Sequence, residues 1–565
     1  MPQNGNSVDR RSFLKSAGGA AVAATLAGCA GGNGGEETTT TTTGGDETTT
    51  EETTSEEKTI LTYARGNDSG TIDPQNTTSG EDAKVTNQVY DKPIHFKPGG
   101  SQLVDGLATE YSVDGTMVSL TFREGVMFHN GEEMTASDFV ATYRRFLDPE
   151  YEYYPGKDYV SGYGPYSFGV VNDVSEAGDY QVEIELEKKY APILRNLAMF
   201  IIGVMPETAI QEKGTDLSTE PVGTGPFVFD SWDTGNQRIR LSRNDEYWGE
   251  MAKVDEVVFT AISSNQTRAQ TLDTGDVDII DGLGAQSSQI VENSDNAELV
   301  SKPGINIGYM AFNIPKVEAF QSKEVRQAIS HAINTKAIVD TIFKGIAVQA
   351  SQPIPSNVMG YNEELDPYPY DPEQAQSLLD EAGYGDGFEF ELATFKNPRT
   401  YNPSPLQAAQ TVKSNLNEVG ITVNINQQPF NPFLDYTAAG KHDACFLGWM
   451  TDNADPDNFY YALLHPGIET SEVPEGQDWA EEYKGGLHVS GWANTEFMDL
   501  VKEAQETYDD DARVENYREA GQIAHEEAPW VFMDHAQELR GVHNRVSGFE
   551  LAVISGPFLN LVSKE

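Results

Sequence analysis

Cysteine is nearly absent from this 565-residue sequence: only Cys29 and Cys445 occur. A disulfide framework is thereby excluded. Positive charge is also scarce, with 38 Lys and Arg against 89 Asp and Glu and a net charge of −51. No basic run offsets the acids, and phosphate backbones are bound by clustered Lys and Arg, so nucleic acid is excluded as a partner. A membrane-spanning run is missing at the N-terminus, because the small, apolar stretch AGGAAVAATLAGC (17–29) is too short and too rich in Gly and Ala to match a spanning helix of ~20 apolar residues. Signatures of catalysis are missing too. No G-x-S-x-G occurs, GTGPF (223–227) lacks the Lys-Ser/Thr tail of a phosphate loop, and HEEAP (525–529) lacks the second His of a zinc protease. The nine His residues show no paired ligand spacing. No catalytic residue, metal or cofactor is therefore expected.

What is present is enough to build cores. Hydrophobic residues make up 38% and aromatic residues 10% of the chain, so this is not a disordered acidic protein. The length exceeds one ordinary core and implies two or three domains. The acid surplus suits a protein kept soluble in high salt, where self-repulsion is screened. A cation store would carry repeated acidic loops, and none is found.

The N-terminus carries a specific short signal. DRRSFLK (9–15) pairs Arg10 and Arg11 with Phe13 and Leu14, and the stretch after it ends in Leu26-Ala27-Gly28-Cys29. This pattern resembles a twin-arginine export signal closed by a lipobox, with Cys29 as the lipid-bearing first residue of the mature protein. Residues 30–58 are Gly, Thr and Glu with almost nothing to bury, which reads as a flexible tether. The expected layout is a lipid anchor, a tether and a folded body on the extracytoplasmic face of the cell membrane. In that body Cys445, within the apolar run ACFL, is expected to be a small core residue.

Caps and periodicity outline the body. TASDFVATYRRFLDP (135–149) predicts a helix capped at Thr135 with Asp138 three residues on. YDPEQAQSLLDEAGY (370–384) predicts another, capped at Asp371, opened by Pro372 and stopped by Gly383. QSKEVRQAISHAINTKAIVDTIFKG (321–345) holds two helical runs, re-capped near Asn334 and Thr335. Strands are predicted at 117–124, 180–187, 227–232, 237–244 and 255–262. Further strands at 388–394, 421–427 and 443–449 alternate with helical segments near 405–419 and 431–439. That order implies parallel strands in an α/β layer.

One stretch asks for a purpose: GWMTDNADPDNFY (448–460), with Asp452, Asp455 and Asp457 crowded after a strand. Such acids bind calcium, pair with a cationic ligand, or serve as scaffold. An EF-hand reading lacks the turn glycine, since Asn458 stands at the sixth position counted from Asn453. Asp455 and Asp457 are expected to cap the following turn or face water. A second polar loop, KNPRTYNPSP (396–405), follows the strand at 388–394. Ligands of open α/β sheets gather at the carboxyl ends of strands, so Asp452 and Arg399 are expected to face one cleft with opposite charges.

Several stretches then carry a resemblance. LATEYSVDGTMVSLTFREGVMFHNGEEMTASDF (107–139), PVGTGPFVFDSW with RNDEYWG (221–249), GDVDIIDG (275–282), EVRQAISHAINTKAIV (324–339), RTYNP (399–403) and GWMTDNADPDNF (448–459) occur in order. Over residues 59–565 the sequence resembles the extracytoplasmic solute-binding proteins of peptide and nickel ABC importers, most closely the dipeptide-binding branch. The resemblance implies a two-lobed clamp of α/β class with mixed sheets and three domains. Residues 59–100, 217–300 and 530–565 would form one discontinuous lobe, 101–216 an inserted domain, and 301–529 the opposing lobe. It also implies that Asp452, three residues after Gly-Trp, takes a peptide's α-ammonium and that Arg399 takes the terminal carboxylate. Tyr401, Trp449 and Thr451 belong to the same motifs; Trp449 reads equally as core or as a wall of the cleft. Tyr111 and Asn130 depart from the family pattern, in the segment expected to form the inserted domain. The implied partners are a dipeptide and the permease subunits in the membrane. Longer peptides, a nickel chelate or haem are the alternative ligands. A cell-surface peptidase and a signalling sensor are the alternatives from other classes.

Overall fold

The computed structural model describes residues 58–481 and 487–565. The export signal, Cys29 and the tether up to residue 57 lie outside the described residues. Within the described residues the predicted caps form. The helix Ala136–Leu147 starts at Thr135, whose backbone N–H donates to Asp138 at 2.8 Å. Asp371 caps Pro372–Glu381 by accepting the Gln374 N–H at 2.9 Å, and Gly383, at φ 81°, leads the chain away. Asn334 re-caps the chain between Lys323–Ala332 and Thr335–Ile338.

Strand burial follows the solvent on each face. Gln181–Leu186 buries every second residue because its four-stranded antiparallel sheet has one wet face. That sheet also contains Ala108–Asp114, Met117–Phe122 and Val171–Gly178. By contrast, Asn306–Phe312 is buried along its whole length. It runs inside a twelve-stranded mixed sheet that organises the rest of the molecule.

One side of this large sheet contains Ile60–Arg65, parallel to Glu256–Ala261, followed by Arg238–Arg243 and Phe227–Asp233. The other side contains Glu389–Phe395, parallel to both Thr422–Gln428 and Ala444–Met450, with the helices Pro405–Glu418 and Phe430–Ala438 as crossovers. The predicted β-α-β-α-β unit is thus present. A single long strand, Trp530–His543, joins the two sides. Its first half pairs with Asn306–Phe312 and its second half with Ala297–Pro303. The register shifts between Gly308 and Tyr309, an irregularity of the β-bulge kind. Cys445 is buried in Ala444–Met450. No helix among the described residues is long and apolar enough to cross a membrane.

Candidate ligand-binding cleft

Because Glu389–Phe395 and Ala444–Met450 are parallel, their carboxyl ends open on the same side of the sheet. The loops that follow both reach a cleft of about 310 Å³, lined by Thr400 from one and Met450, Thr451 and Asp452 from the other. The RTYNP loop is a tight turn in which Arg399 and Asn402 exchange two backbone hydrogen bonds of 3.0 Å. Tyr401 leaves this turn and lays its ring on Gly448. A Cβ at 448 would lie 2.2 Å from that ring, so the Gly of the Gly-Trp pair is what lets the two loops approach.

The acidic loop is held rigidly up to Asp452 and beyond. The Thr451 hydroxyl accepts the N–H groups of Asn453 and Ala454 at 3.3 and 3.2 Å. These bonds hold Ala454 at φ 52°, in the left-handed region that costs a non-glycine residue ~1 kcal/mol or more. Asn453 reaches across to Asn196 at 2.8 Å. Asp452 is half-buried, and its Oδ2 accepts the Tyr163 hydroxyl at 2.5 Å. It makes no ion pair among the described residues. Loss of water around it raises its carboxyl to about 6, against which the Tyr163 bond works only in part.

Arg399 lies beside this cleft but is not among its walls. Its guanidinium stacks 3.7 Å from the centroid of Phe430 and makes no ion pair among the described residues. Trp449 is half-buried and donates its indole N–H to Asn458 at 2.7 Å; Asn458 in turn donates to the Tyr166 hydroxyl at 3.0 Å. It fastens the loop to the helix after it and is not among the cleft walls either. Tyr401 is half-buried, and its phenol is pushed up to about 12 by burial.

Asp455 and Asp457 correct an expectation. Asp455 caps the following turn, accepting the Asp457 N–H at 2.9 Å at the start of the helix Asp457–Leu464, whereas the Asp457 carboxylate accepts from the Gln505 amide instead. Neither faces water. Asp455 is fully buried and holds Arg513 through both oxygens, at 2.8 and 3.0 Å, with Arg195 at 3.6 Å. Asp457 is buried against Gln505, and desolvation together with the Asp455 charge raises its carboxyl to about 7. The acids that suggested calcium are therefore engaged by protein donors.

The cleft's far wall was not anticipated. It is built by Glu81 and Lys84 of the helix Gly80–Val89, by Asp281, and by Glu538 and Arg540 of the long strand. GDVDIIDG contains Asp281, but nothing near it in sequence names its partner Lys84. A second missed acid, Asp534, is buried in the long strand, and its Oδ1 has no hydrogen-bond partner among the described residues. It abuts Gly308, which the Tyr401 carbonyl also touches, and burial pushes its carboxyl well above the usual range. An Asp-His pair inside the apolar run WVFMDHA is the signal that would have found it.

Two halves joined by a shared strand, with strand-end loops meeting over a charged cleft, define the fold of a clamp-type binding protein. Residues 102–471 match the model of the bacterial extracellular solute-binding proteins, family 5 (middle region), and the chain belongs to that family. Among its relatives is the dipeptide-binding protein of Escherichia coli, 29% identical over 87% of this chain and 92% of that one. Another is heme-binding protein A of Haemophilus influenzae, 30% identical over 83% and 85%. HbpA2 from Haemophilus parasuis shares the fold at a TM-score of 0.81 and 26% identity, covering 90% of this chain and all of that one.

Proposed function

We propose that this protein is a lipid-anchored dipeptide receptor that delivers its ligand to the permease of an ABC importer. One observation carries the reading: Asp452 and Arg399, from loops that meet at one cleft, each have no ion-pair partner among the described residues. Two opposite charges without counter-ions suit a zwitterion, which a closing cleft desolvates and must pair at both ends. Asp452 takes the α-ammonium and displaces or shares the Tyr163 hydroxyl. Arg399 leaves the Phe430 ring to meet the terminal carboxylate. Thr451 shapes the loop under Asp452, Tyr401 sets the distance between the loops, and Trp449 locks the base of the acidic loop. The likeness to the dipeptide-binding protein of E. coli supports this ligand class. Residues 101–216 act as an inserted domain, supplying Tyr163 to the site.

The test is calorimetry with free and N-acetylated dipeptide on wild type and Asp452→Asn. Acetylation should weaken binding to wild type and matter little to the variant. Equal losses in both proteins would remove Asp452 from the ammonium site.

Haem is a second reading, favoured by the relative named as a heme-binding protein. Four of the six ionisable residues lining the cleft are acids, which opposes a ligand carrying two propionates. A visible-absorbance titration with haem separates the two. For the anchor, Cys29→Ala should release the protein from membranes or leave its precursor uncleaved. For the acid surplus, the melting temperature should rise steeply between ~0.1 and ~1 M salt, as the Debye length falls from ~10 to ~3 Å.

A further inference from the structure

The wall facing Asp452 carries its own ion-pair network. Lys84 pairs with Asp281 Oδ2 and lies 3.0 Å from Glu81. Arg540 pairs with Glu538 at 2.8 Å and donates to the Tyr63 hydroxyl at 3.0 Å. Counting Asp452, four carboxylates and two cations line the cleft. Directly behind the lining stand two cations and two acids: Arg65 pairs with Asp68, Arg268 donates to backbone carbonyls, and Asp82 accepts from Gly70 and Thr77, so this second layer does not change the net balance. Two negative charges remain uncompensated.

A dipeptide's ammonium on Asp452 neutralises one of them, and its carboxylate is assigned to Arg399 outside the lining. One negative charge is left over. One oxygen lacks a donor: Asp281 is only 3% exposed, its Oδ2 receives Lys84 and the Tyr63 hydroxyl, and its Oδ1 has no hydrogen-bond partner among the described residues. Lys84 and Arg540 hold this carboxyl below its ordinary range, so it stays charged against the cost of burial. A buried ionised oxygen without a donor is costly, and closing the cleft over it raises the cost.

We infer that the cleft selects dipeptides bearing one cationic side chain, received on the wall formed by Asp281 and Glu538. This rests on the dipeptide reading above. A neutral side chain leaves the residual charge unpaired, and an acidic one adds to it. The cation then offsets the residual charge of the Asp281 and Glu538 wall, while Lys84 and Arg540 keep their existing partners.

The experiment is calorimetry on the full chain at one fixed salt concentration, at a pH well above the Asp452 transition at about 6. The probes are alanyl-lysine, lysyl-alanine, alanyl-alanine and alanyl-glutamate. The better of the two lysine peptides should bind about tenfold or more tightly than alanyl-alanine, the scale of a close charge pair. Alanyl-glutamate should bind more weakly than alanyl-alanine. Asp281→Asn should shrink the lysine-to-alanine ratio. Because that change also removes a partner of Lys84, Glu538→Gln, at a partly exposed site, provides the second variant and should shrink the same ratio. Measurable alanyl-alanine binding with no lysine preference overturns the inference and leaves the dipeptide reading standing. A preference that persists undiminished in both variants overturns it too, since the wall would not be its source. If none of the peptides binds, the dipeptide reading fails and takes this inference with it.

Discussion

The two ends of one loop use the same residue type for opposite ends. Asp452 lines the cleft with a phenol as its one hydrogen-bonded side-chain partner among the described residues, whereas Asp455, three residues on, is closed around the guanidinium of Arg513. The difference lies in where the cation comes from. When the protein supplies it, the acid is part of the core. When the protein withholds it, the acid is free for the cationic end of the proposed ligand. Asp457 is an intermediate case, buried against an amide and beside a like charge.

The contrast is most exposed at Asp455. Asp455→Ala leaves Arg513 buried and unpaired, so the variant should lose ~3–5 kcal/mol of stability, read from its denaturant midpoint. A midpoint near wild type would mean that this end of the loop is no more structural than the other. Next, Asp452→Asn and Arg399→Gln should each weaken dipeptide binding by ~2–5 kcal/mol, roughly 30- to 5,000-fold, with the denaturant midpoint little changed. Calorimetry and unfolding on the same samples check both halves of that statement.

A smaller effect follows from protons. The Asp452 carboxyl titrates at about 6 in the free protein, and an ammonium partner lowers it. Protons and ligand therefore compete: affinity should be at its plateau above about 6 and fall by up to about tenfold per pH unit below it. In Asp452→Asn this pH dependence should vanish. The smallest effect concerns Asp457. Its folded-state carboxyl, at about 7, lies above the unfolded value of 3.8. The native state thus holds an extra proton between these values, and stability falls as pH rises from about 4 to about 7. Asp457→Asn should flatten that slope in melting temperature; an unchanged slope would show that Asp457 is hydrated.

Much of this was legible in the chain, for identifiable reasons. The strands at 388–394, 421–427 and 443–449 showed themselves because their apolar runs alternate with helical segments, Pro405–Glu418 and Phe430–Ala438. Their parallel order then put RTYNP and the acidic loop on one side. The long strand Trp530–His543 was harder to read, because Asp534 and His535 interrupt its apolar pattern while being buried. The fates of Asp455 and Asp457 were hidden because Arg513, Arg195 and Gln505 are remote in sequence. The stacking of Arg399 on Phe430 was hidden in the same way: one lies in the RTYNP loop and the other opens the helix Phe430–Ala438, and only the fold brings them face to face.

The ring of Tyr401 resting on Gly448 has a consequence for anyone who cuts and splices such receptors. Two loops that share one van der Waals surface form a single cassette, although 47 positions of chain separate their key residues, from 401 to 448. A chimera that imports a new RTYNP loop with a bulkier partner at 448 would push the strand ends apart before any ligand arrived. Both segments have to be exchanged together, glycine included, for the transplanted specificity to travel with them.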